Sequence, residues 1–417
     1  MNTTKETRVL LRRMGETDPE SIEDYIKTEG YEALKKVLKS MKPREVIEEV
    51  KQSGLRGRGG AGFSTGAKWA FSASIEGERY VVCNADEGEP GTFKDRLIME
   101  NDPHRLVEAM IICGYAIQAK KGIIYIRGEY PNSVKILNKA IKQAEEKGLL
   151  GENILKSGFS YHLEVFRGAG AYLCGEETAL IESIEGNRGH PRIKPPFPSV
   201  KGLKNSPTVV NNVETLGSIP DIILRGSEWF KKIGMPSCTG TKIYTISGRV
   251  NKQGFYELPM GATLRTLIFD LCEGIRDKGK FLAAQVGGST GGILSEDMLD
   301  VPLDFDSLSQ RNLMLGSGSV LVIDETVDIR EFFHYLTNFY KNESCGKCAP
   351  CRLGTMYFFK KAEEIVRNKK ISRQEWDKMV NLSIHMKDAS YCPLGQSLYN
   401  PVSTLNRFFI NELVSDF

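Results

Sequence analysis

The chain has 417 residues, too many for one ordinary core, so about two to four domains are expected. Hydrophobic residues make up 41% and charged residues 26%, which excludes a disordered or collagen-like chain. Net charge is +3, from 56 basic and 53 acidic residues interspersed along the chain, and gives no support to an extended nucleic-acid-binding surface.

No apolar run approaches the roughly 20 residues of a membrane helix. Residues 1–15 mix Lys, Glu and Arg without the apolar stretch of a secretory signal. A cytoplasmic protein without direct membrane insertion is expected, one that can sit peripherally on the inner face of a membrane through partners.

Residues 1–50 read as a helical extension rich in Lys and Glu. Its segments Ser21–Tyr25 and Pro43–Gln52 have the caps and periodicity of surface elements. Residues 51–238 form a glycine-rich body in which short apolar strands (Tyr80–Asn84, Gly122–Arg127, Tyr161–Phe166) alternate with helices (His104–Ala119, Ser133–Lys147). That βαβα rhythm predicts an α/β domain with a mainly parallel or mixed sheet. Residues 239–326 carry strands at Lys242–Gly248, Gly254–Leu258, Ala283–Val286 and Ser319–Ile323 around one amphipathic helix, Thr263–Cys272. This pattern fits a small α+β module of ubiquitin-like size. Residues 327–417 are helical, interrupted only around cysteines.

Four of the nine cysteines lie beyond residue 344. Cys345, Cys348 and Cys351 have CxxCxxC spacing, and Cys392 follows about forty residues later. Three thiolates from one turn and a fourth from a distant segment suit a [4Fe–4S] cubane. Structural zinc more often takes two separate CxxC knuckles, and it remains open here beside unligated thiols. Gly346 allows the backbone to wrap closely around a cluster, while Pro350 and Pro393 stiffen the loops. Cys83, Cys113, Cys174, Cys238 and Cys272 have no mutual spacing and read as buried structural residues.

Residues 54–63 contain a GxGxxG at Gly57, Gly59 and Gly62. A dinucleotide fingerprint should follow a strand, whereas Glu45–Gln52 is helix-like, so the pattern by itself is weak. The loop still suits an anionic cofactor, because its small residues expose backbone N–H groups and Arg58 and Lys68 add positive charge. Asp86, Glu87 and Glu89 crowd the end of a strand, and Glu176 and Glu177 follow a second glycine-rich turn. Carboxylates so placed can accept hydrogen bonds from ribose or ribityl hydroxyls, although a solvated acidic loop is the plainer reading of either motif alone. Asn211 and Asn212 offer donors and acceptors for a ring edge. Residues 192–198 give a proline-stiffened loop with Lys194 and Phe197, suited to a nucleotide or simply to the surface. His104, His162 and His190 have no metal-ligand spacing, and no Ser–His–Asp arrangement supports hydrolysis.

Together, the stretches 55–63 (LRGRGGAGF), 83–91 (CNADEGEPG), 170–180 (GAYLCGEETAL), 209–215 (VVNNVET) and 343–352 (ESCGKCAPCR) resemble the family of NADH-oxidising FMN/[4Fe–4S] subunits. That family serves respiratory complex I and NAD-linked hydrogenases and formate dehydrogenases. The resemblance implies a Rossmann-like flavin domain, a ubiquitin-like module and a helical bundle carrying an iron–sulfur cluster. By motif match, FMN is expected at Gly57, Arg58, Gly59, Gly60, Lys68, Asn84, Asp86, Glu87, Tyr172, Gly175, Glu176, Asn211 and Asn212. NAD(H) is expected at Phe63, Lys68, Phe71, Glu89, Glu177, Lys194 and Phe197, with Glu89 and Glu177 orienting nicotinamide and ribose as the catalytic candidates. Cys345, Cys348, Cys351 and Cys392 are the expected cluster ligands.

The implied activity is hydride exchange between NAD(H) and FMN, followed by single-electron transfer to the cluster. A [2Fe–2S] thioredoxin-like chain and a larger iron–sulfur chain are the implied partners. Complex-I-type and soluble hydrogenase or formate dehydrogenase assemblies are equally compatible with these motifs. A non-enzymatic iron–sulfur scaffold is the alternative from another class.

Overall fold

The computed structural model describes residues 6–415. Strands β1 (Tyr80–Ala85), β2 (Lys121–Ile126), β3 (His162–Arg167) and β4 (Thr208–Asn212) form an all-parallel sheet in the order β3-β2-β1-β4. Side chains alternate between its two faces, as a pleated strand requires. Val81, Cys83, Ala85, Ile124, Ile126 and Val209 join one core, and Tyr80, Val82, Ile123, Tyr125 and Val210 join another. Both faces are covered, which explains the near-continuous apolar runs in these strands.

The N-terminal helices α1 (Ile22–Lys27), α2 (Glu32–Ser40) and α3 (Pro43–Gln52) keep polar faces at the surface. Their apolar stripes (Leu34 and Val37 on α2, Val46 and Val50 on α3) are buried in the same core as the sheet. They are followed by α4 (Thr65–Ala73), α5 (Lys94–Asn101) and α6 (Pro103–Ile117). The buried carboxylate of Glu108 on α6 accepts from the Tyr25 hydroxyl at 2.5 Å, Tyr31 N–H at 2.9 Å and Leu34 N–H at 3.0 Å. Amphipathic periodicity identifies which stripe is apolar, and the neighbouring helix α6 decides that the stripe is covered.

A two-residue ribbon, β5 (Gly234–Met235) and β6 (Cys238–Thr239), leads into a second sheet of β7 (Thr241–Gly248), β8 (Gly254–Pro259), β9 (Phe281–Val286), β10 (Gly292–Leu294) and β11 (Ser319–Asp324). Its order is β10-β9-β11-β7-β8, with β7 and β11 parallel and the other pairs antiparallel. Tyr244, Ile246, Ala284, Val286, Val320 and Val322 pack on Leu264, Leu267 and Ile268 of the intervening helix, whose residues Thr266–Leu271 are wound as a π-helix. The opposite face is also buried: Ile243 enters the core of the parallel sheet and Ala283 that of the C-terminal helices. The helices Ile329–Glu343, Ala349–Asn368, Arg373–Ala389 and Tyr399–Phe408 close around Phe333, Phe358, Trp376 and Leu405.

Glu257 on β8 joins the N-terminal segment to the middle sheet. Its buried carboxylate accepts from the backbone N–H groups of Val9, Leu10 and Leu11, each at 3.0 Å, and from the Thr241 hydroxyl. Glu257→Ala strands those donors, each costing about 1–3 kcal/mol when left unsatisfied. The expected result is a markedly lower midpoint in thermal unfolding, and an unchanged midpoint would show that this anchor is dispensable.

Candidate functional site

The glycine loop runs from the end of α3 to the start of α4, so it connects two helices, as the sequence pattern indicates. Gly57 N–H donates to Phe63 O at 2.8 Å and Thr65 N–H to Leu55 O at 3.0 Å, closing the loop at its base. A methyl group at Gly59 would come within 3.1 Å of Asn212 Cβ, which puts the loop against the carboxyl end of β4. Strands β1 and β4 are neighbours at the position where the strand order reverses, the crevice in which open α/β sheets bind ligands. On its other side the loop meets the middle module. A methyl at Gly62, where φ is +65°, would strike the Phe305 ring at 2.7 Å, and one at Gly60 would sit 3.8 Å from Gly316.

Arg58 departs from the phosphate-facing cation expected of it. Its side chain is fully buried, donating from Nε to Thr241 O at 3.0 Å, from Nη2 to Thr239 O at 2.6 Å and from Nη1 to Arg56 O at 2.9 Å. Its backbone N–H donates to Thr215 Oγ1 at 2.8 Å. The guanidinium therefore fastens the loop to the middle module. Lys68 is half-buried, and its Nζ lies 3.0 Å from Val210 O and 3.5 Å from Glu177 Oε2.

The carboxylates divide by the company they keep. Glu87 accepts from Asp95 N–H at 2.9 Å and Arg96 N–H at 3.1 Å, so it caps the start of α5. Glu176 accepts from Thr178 N–H and Ala179 N–H, both at 2.9 Å, at the start of a helix over Glu177–Ile184 and pairs with Lys194 Nζ at 2.9 Å. Glu177 lies 3.5 Å from Lys194 and from Lys68. Asp86 and Glu89 differ: the buried atoms Asp86 Oδ2 and Glu89 Oε1 have no hydrogen-bond partner. Burial pushes each of these two carboxyls up to about 7.

Asn84 Nδ2 donates to Gly175 O at 2.8 Å, bringing the end of β1 against the Tyr172–Gly175 turn. Asn211 accepts from Trp69 Nε1 at 2.8 Å. Asn212 donates to Asp95 at 2.7 Å and accepts from Glu214 N–H at 3.0 Å, so both amides are engaged within the fold. Around this polar centre stand large exposed apolar side chains. Phe63, Phe71 and Phe197 are 51%, 55% and 54% exposed, an unusual concentration for residues of this size. Phe71 on α4 and Phe197 at the start of Pro198–Lys201 belong to adjoining elements, tied by Ser72 Oγ donating to Ser199 O at 3.4 Å.

The four C-terminal cysteines gather on the far side of the Tyr172–Gly175 turn. Cys348 and Cys392 each immediately precede a helix, beginning at Ala349 and Pro393, and a methyl at Gly395 would lie 2.9 Å from Cys351 Cβ. Burial, reinforced by Cys348 and Cys345, pushes Cys351 up to about 11, and Cys392, which senses Cys351 and Glu176, is pushed up to about 12. Among the described residues, no three His, Cys, Asp or Glu side chains are arranged to hold a single metal ion, as tetrahedral zinc would require. Tyr172 and Leu173 pack into the cysteine-bearing core, and the Tyr172 and Phe339 rings meet edge-on at 5.1 Å. Arg188 Nη2 donates to Cys345 O at 3.4 Å and Lys347 Nζ to Pro191 O at 2.8 Å, binding the 188–197 loop to the cysteine turn.

Sequence reading missed the contribution of the middle module. Residues 287–291 between β9 and β10 reach Glu89 through Thr290 Oγ1 at 3.4 Å, and Ser317 Oγ lies 2.7 Å from Thr92 Oγ1. The run of glycines at 287, 288, 291 and 292 was the available signal for a close backbone approach.

Asp86 and Glu89 make the stability of the ligand-free chain depend on pH. Their unfolded values lie near 4, so the folded chain holds these protons more tightly. The stabilisation is complete below about pH 4 and is lost as pH rises through about 7. The unfolding midpoint should fall between pH 4 and pH 7, and Asp86→Asn should flatten that fall. An Asp86→Asn profile parallel to wild type would show that Asp86 ionises freely.

Two family models match the chain: the Nuo51 FMN-binding domain over residues 50–221 and the NADH-ubiquinone oxidoreductase-F iron-sulfur binding region over residues 331–416. The chain is 48% identical over 412 residues to HndC, a subunit of the NADP-reducing hydrogenase of Solidesulfovibrio fructosivorans, covering 98% of this chain and 83% of that one. It is 48% identical over 387 residues to the F subunit of NADH-quinone oxidoreductase from Aquifex aeolicus, covering 93% and 89%. A crystal structure of NAD+-reducing [NiFe]-hydrogenase in the H2-reduced state superposes with a TM-score of 0.86 at 35% identity, covering 99% of this chain and 67% of that one. The chain belongs to the family that comprises the F subunits of NADH-quinone oxidoreductases and their hydrogenase counterparts.

Proposed function

We propose that this chain is the NAD(H)-oxidising component of a multi-subunit electron-transfer assembly, carrying FMN and a [4Fe–4S] cluster. The observation that carries the reading is the Tyr172–Gly175 turn, which touches the carboxylate pocket on one side and the four-cysteine core on the other. An iron–sulfur scaffold without flavin has no use for the pocket on the other side of that turn. When bound, flavin takes two electrons together as hydride and passes them on singly to the cluster.

The residues fit these groups. Asp86 Oδ2 and Glu89 Oε1 are buried acceptors lacking donors, a costly state that hydroxyl or amide groups of a ligand relieve. In this reading the Gly57–Gly60 turn, Lys68, Asn84, Asp86, Tyr172, Gly175 and Glu176 hold FMN. Arg58, Glu87, Asn211 and Asn212, each held by protein partners, shape its cradle. Phe63, Phe71 and Phe197 offer ring faces to the nucleotide, Lys68 and Lys194 offset its phosphates, and Glu89 and Glu177 orient nicotinamide and ribose. Cys345, Cys348, Cys351 and Cys392 hold the cluster.

By this division, residues 1–50 are a helical extension, 51–238 the flavin and nucleotide domain, 239–326 a ubiquitin-like module and 327–417 the cluster domain. Support for a Rossmann-like flavin domain is the parallel order β3-β2-β1-β4. Support for the ubiquitin-like module is its sheet, in which β7 and β11 run parallel at the centre and a helix packed on the sheet lies between β8 and β9. Electrons pass to partner chains, a [2Fe–2S] thioredoxin-like one and a larger iron–sulfur one, in either a quinone-reducing or a hydrogenase-type complex. Among the described residues no helix is long and apolar enough to cross a membrane, and we assign the chain to the cytoplasm, with membrane contact only through partners.

The purified chain should show a flavin band that bleaches on addition of NADH, together with cluster absorbance. Cys351→Ala should abolish the cluster signal while flavin bleaching by NADH persists. Cluster absorbance without any flavin in wild-type protein would favour the scaffold instead.

A further inference from the structure

The hairpin loop 287–291 leaves the middle module and enters the carboxylate pocket. A side chain at Gly288, where φ is +83°, would occupy the volume of the Glu89 side chain. Thr290 Oγ1 lies 3.4 Å from Glu89 Oε2, the same oxygen that accepts from the Tyr172 hydroxyl at 2.5 Å. Side-chain donors thus converge on Oε2 and leave Oε1 buried without a partner.

The far side of the loop is tied to the cysteine-bearing helices. The Tyr340 hydroxyl donates to Ser289 O at 3.3 Å and lies 3.0 Å from Ser397 Oγ, while Asn400 Nδ2 donates to Thr290 O at 3.0 Å. Loop 287–291 is therefore braced by helices Ile329–Glu343 and Tyr399–Phe408 and bears on Glu89.

We propose that Thr290 is a positioning residue of the redox site: with Tyr172 it fixes Glu89 Oε2 and so sets the orientation of this carboxylate for the bound nicotinamide nucleotide. This rests on the reading of Glu89 as a nucleotide-facing residue. A carboxylate held at one oxygen can turn neither oxygen away, and its ionised form is favoured by each donor it keeps. Tyr172 and Tyr340 are the titratable groups that face it from the packed elements, both raised above the ordinary tyrosine range and neutral near pH 7, with Asp86 and Glu87 in its own loop.

The test is equilibrium binding of NAD+ to the oxidised holoenzyme across pH 6 to 8.5, which involves no turnover. Thr290→Val should weaken binding by about three- to tenfold and move the midpoint of its pH dependence upward, since loss of a donor disfavours the carboxylate. FMN content and cluster absorbance should be unchanged, and Thr290→Ser should restore wild-type binding. If valine prevents flavin loading, Thr290→Ala makes the same comparison. Wild-type affinity and midpoint in Thr290→Val, with Glu89→Gln weakened, would overturn the role of Thr290 and leave that of Glu89 standing. If Glu89→Gln also binds as wild type, the reading of Glu89 falls and the inference falls with it.

Discussion

Buried charge at the seam between the parallel sheet and the middle sheet is the constraint on which the site depends. Arg58 inserts its guanidinium beneath the glycine loop and directs its donors to the Thr239 and Thr241 carbonyls. Close by, Glu214 receives Lys242 Nζ at 2.6 Å, Lys94 Nζ at 3.0 Å and Ile243 N–H at 2.8 Å. Burial works against ionisation of Glu214, yet Lys242 and Lys94 together bring it below the usual carboxylate range. Such groups are costly to desolvate and tolerate little displacement, because a shifted partner leaves an uncompensated charge. The loop, the end of β4 and the start of β7 are thereby held in one geometry.

Within that frame, environment assigns different tasks to chemically identical carboxylates. Glu87 and Glu176 sit at helix starts, where backbone N–H groups satisfy them. Glu214 is consumed by ion pairing. Asp86 is buried and Glu89 half-buried, and each keeps one buried oxygen without a donor. In the function proposed above, these are the atoms for which a ligand supplies the missing donor.

The cluster domain is more than an appended bundle. Its core takes in Leu173 and Ala179 from the parallel-sheet domain and Ala283 and Ile293 from the middle module. Three modules thus meet around Tyr172, which reaches Glu89 by its hydroxyl and Phe339 by its ring edge. Electron transfer between fixed centres requires that their separation not drift, and a shared core meets that requirement better than a flexible linker.

The sequence by itself determined the elements and the chemistry they carry. Alternating apolar runs marked β1, β2, β3, β7, β8, β9 and β11 within a residue or two but not β4 or β10, and CxxCxxC spacing with Cys392 singled out four thiols that lie in or against one core, because such signals are written in covalent spacing. Tertiary structure alone decided which polar atoms remain available. Arg58 reads as a free cation in a glycine loop and becomes a buried fastener only because the chain returns at Thr239 and Thr241, about 180 residues later. Likewise, nothing near Glu89 in the chain indicates Thr290, about 200 positions away, since the approach is set by how the middle sheet packs on its neighbours. Local pattern fixes what a residue can do, and long-range packing fixes which partner uses it up.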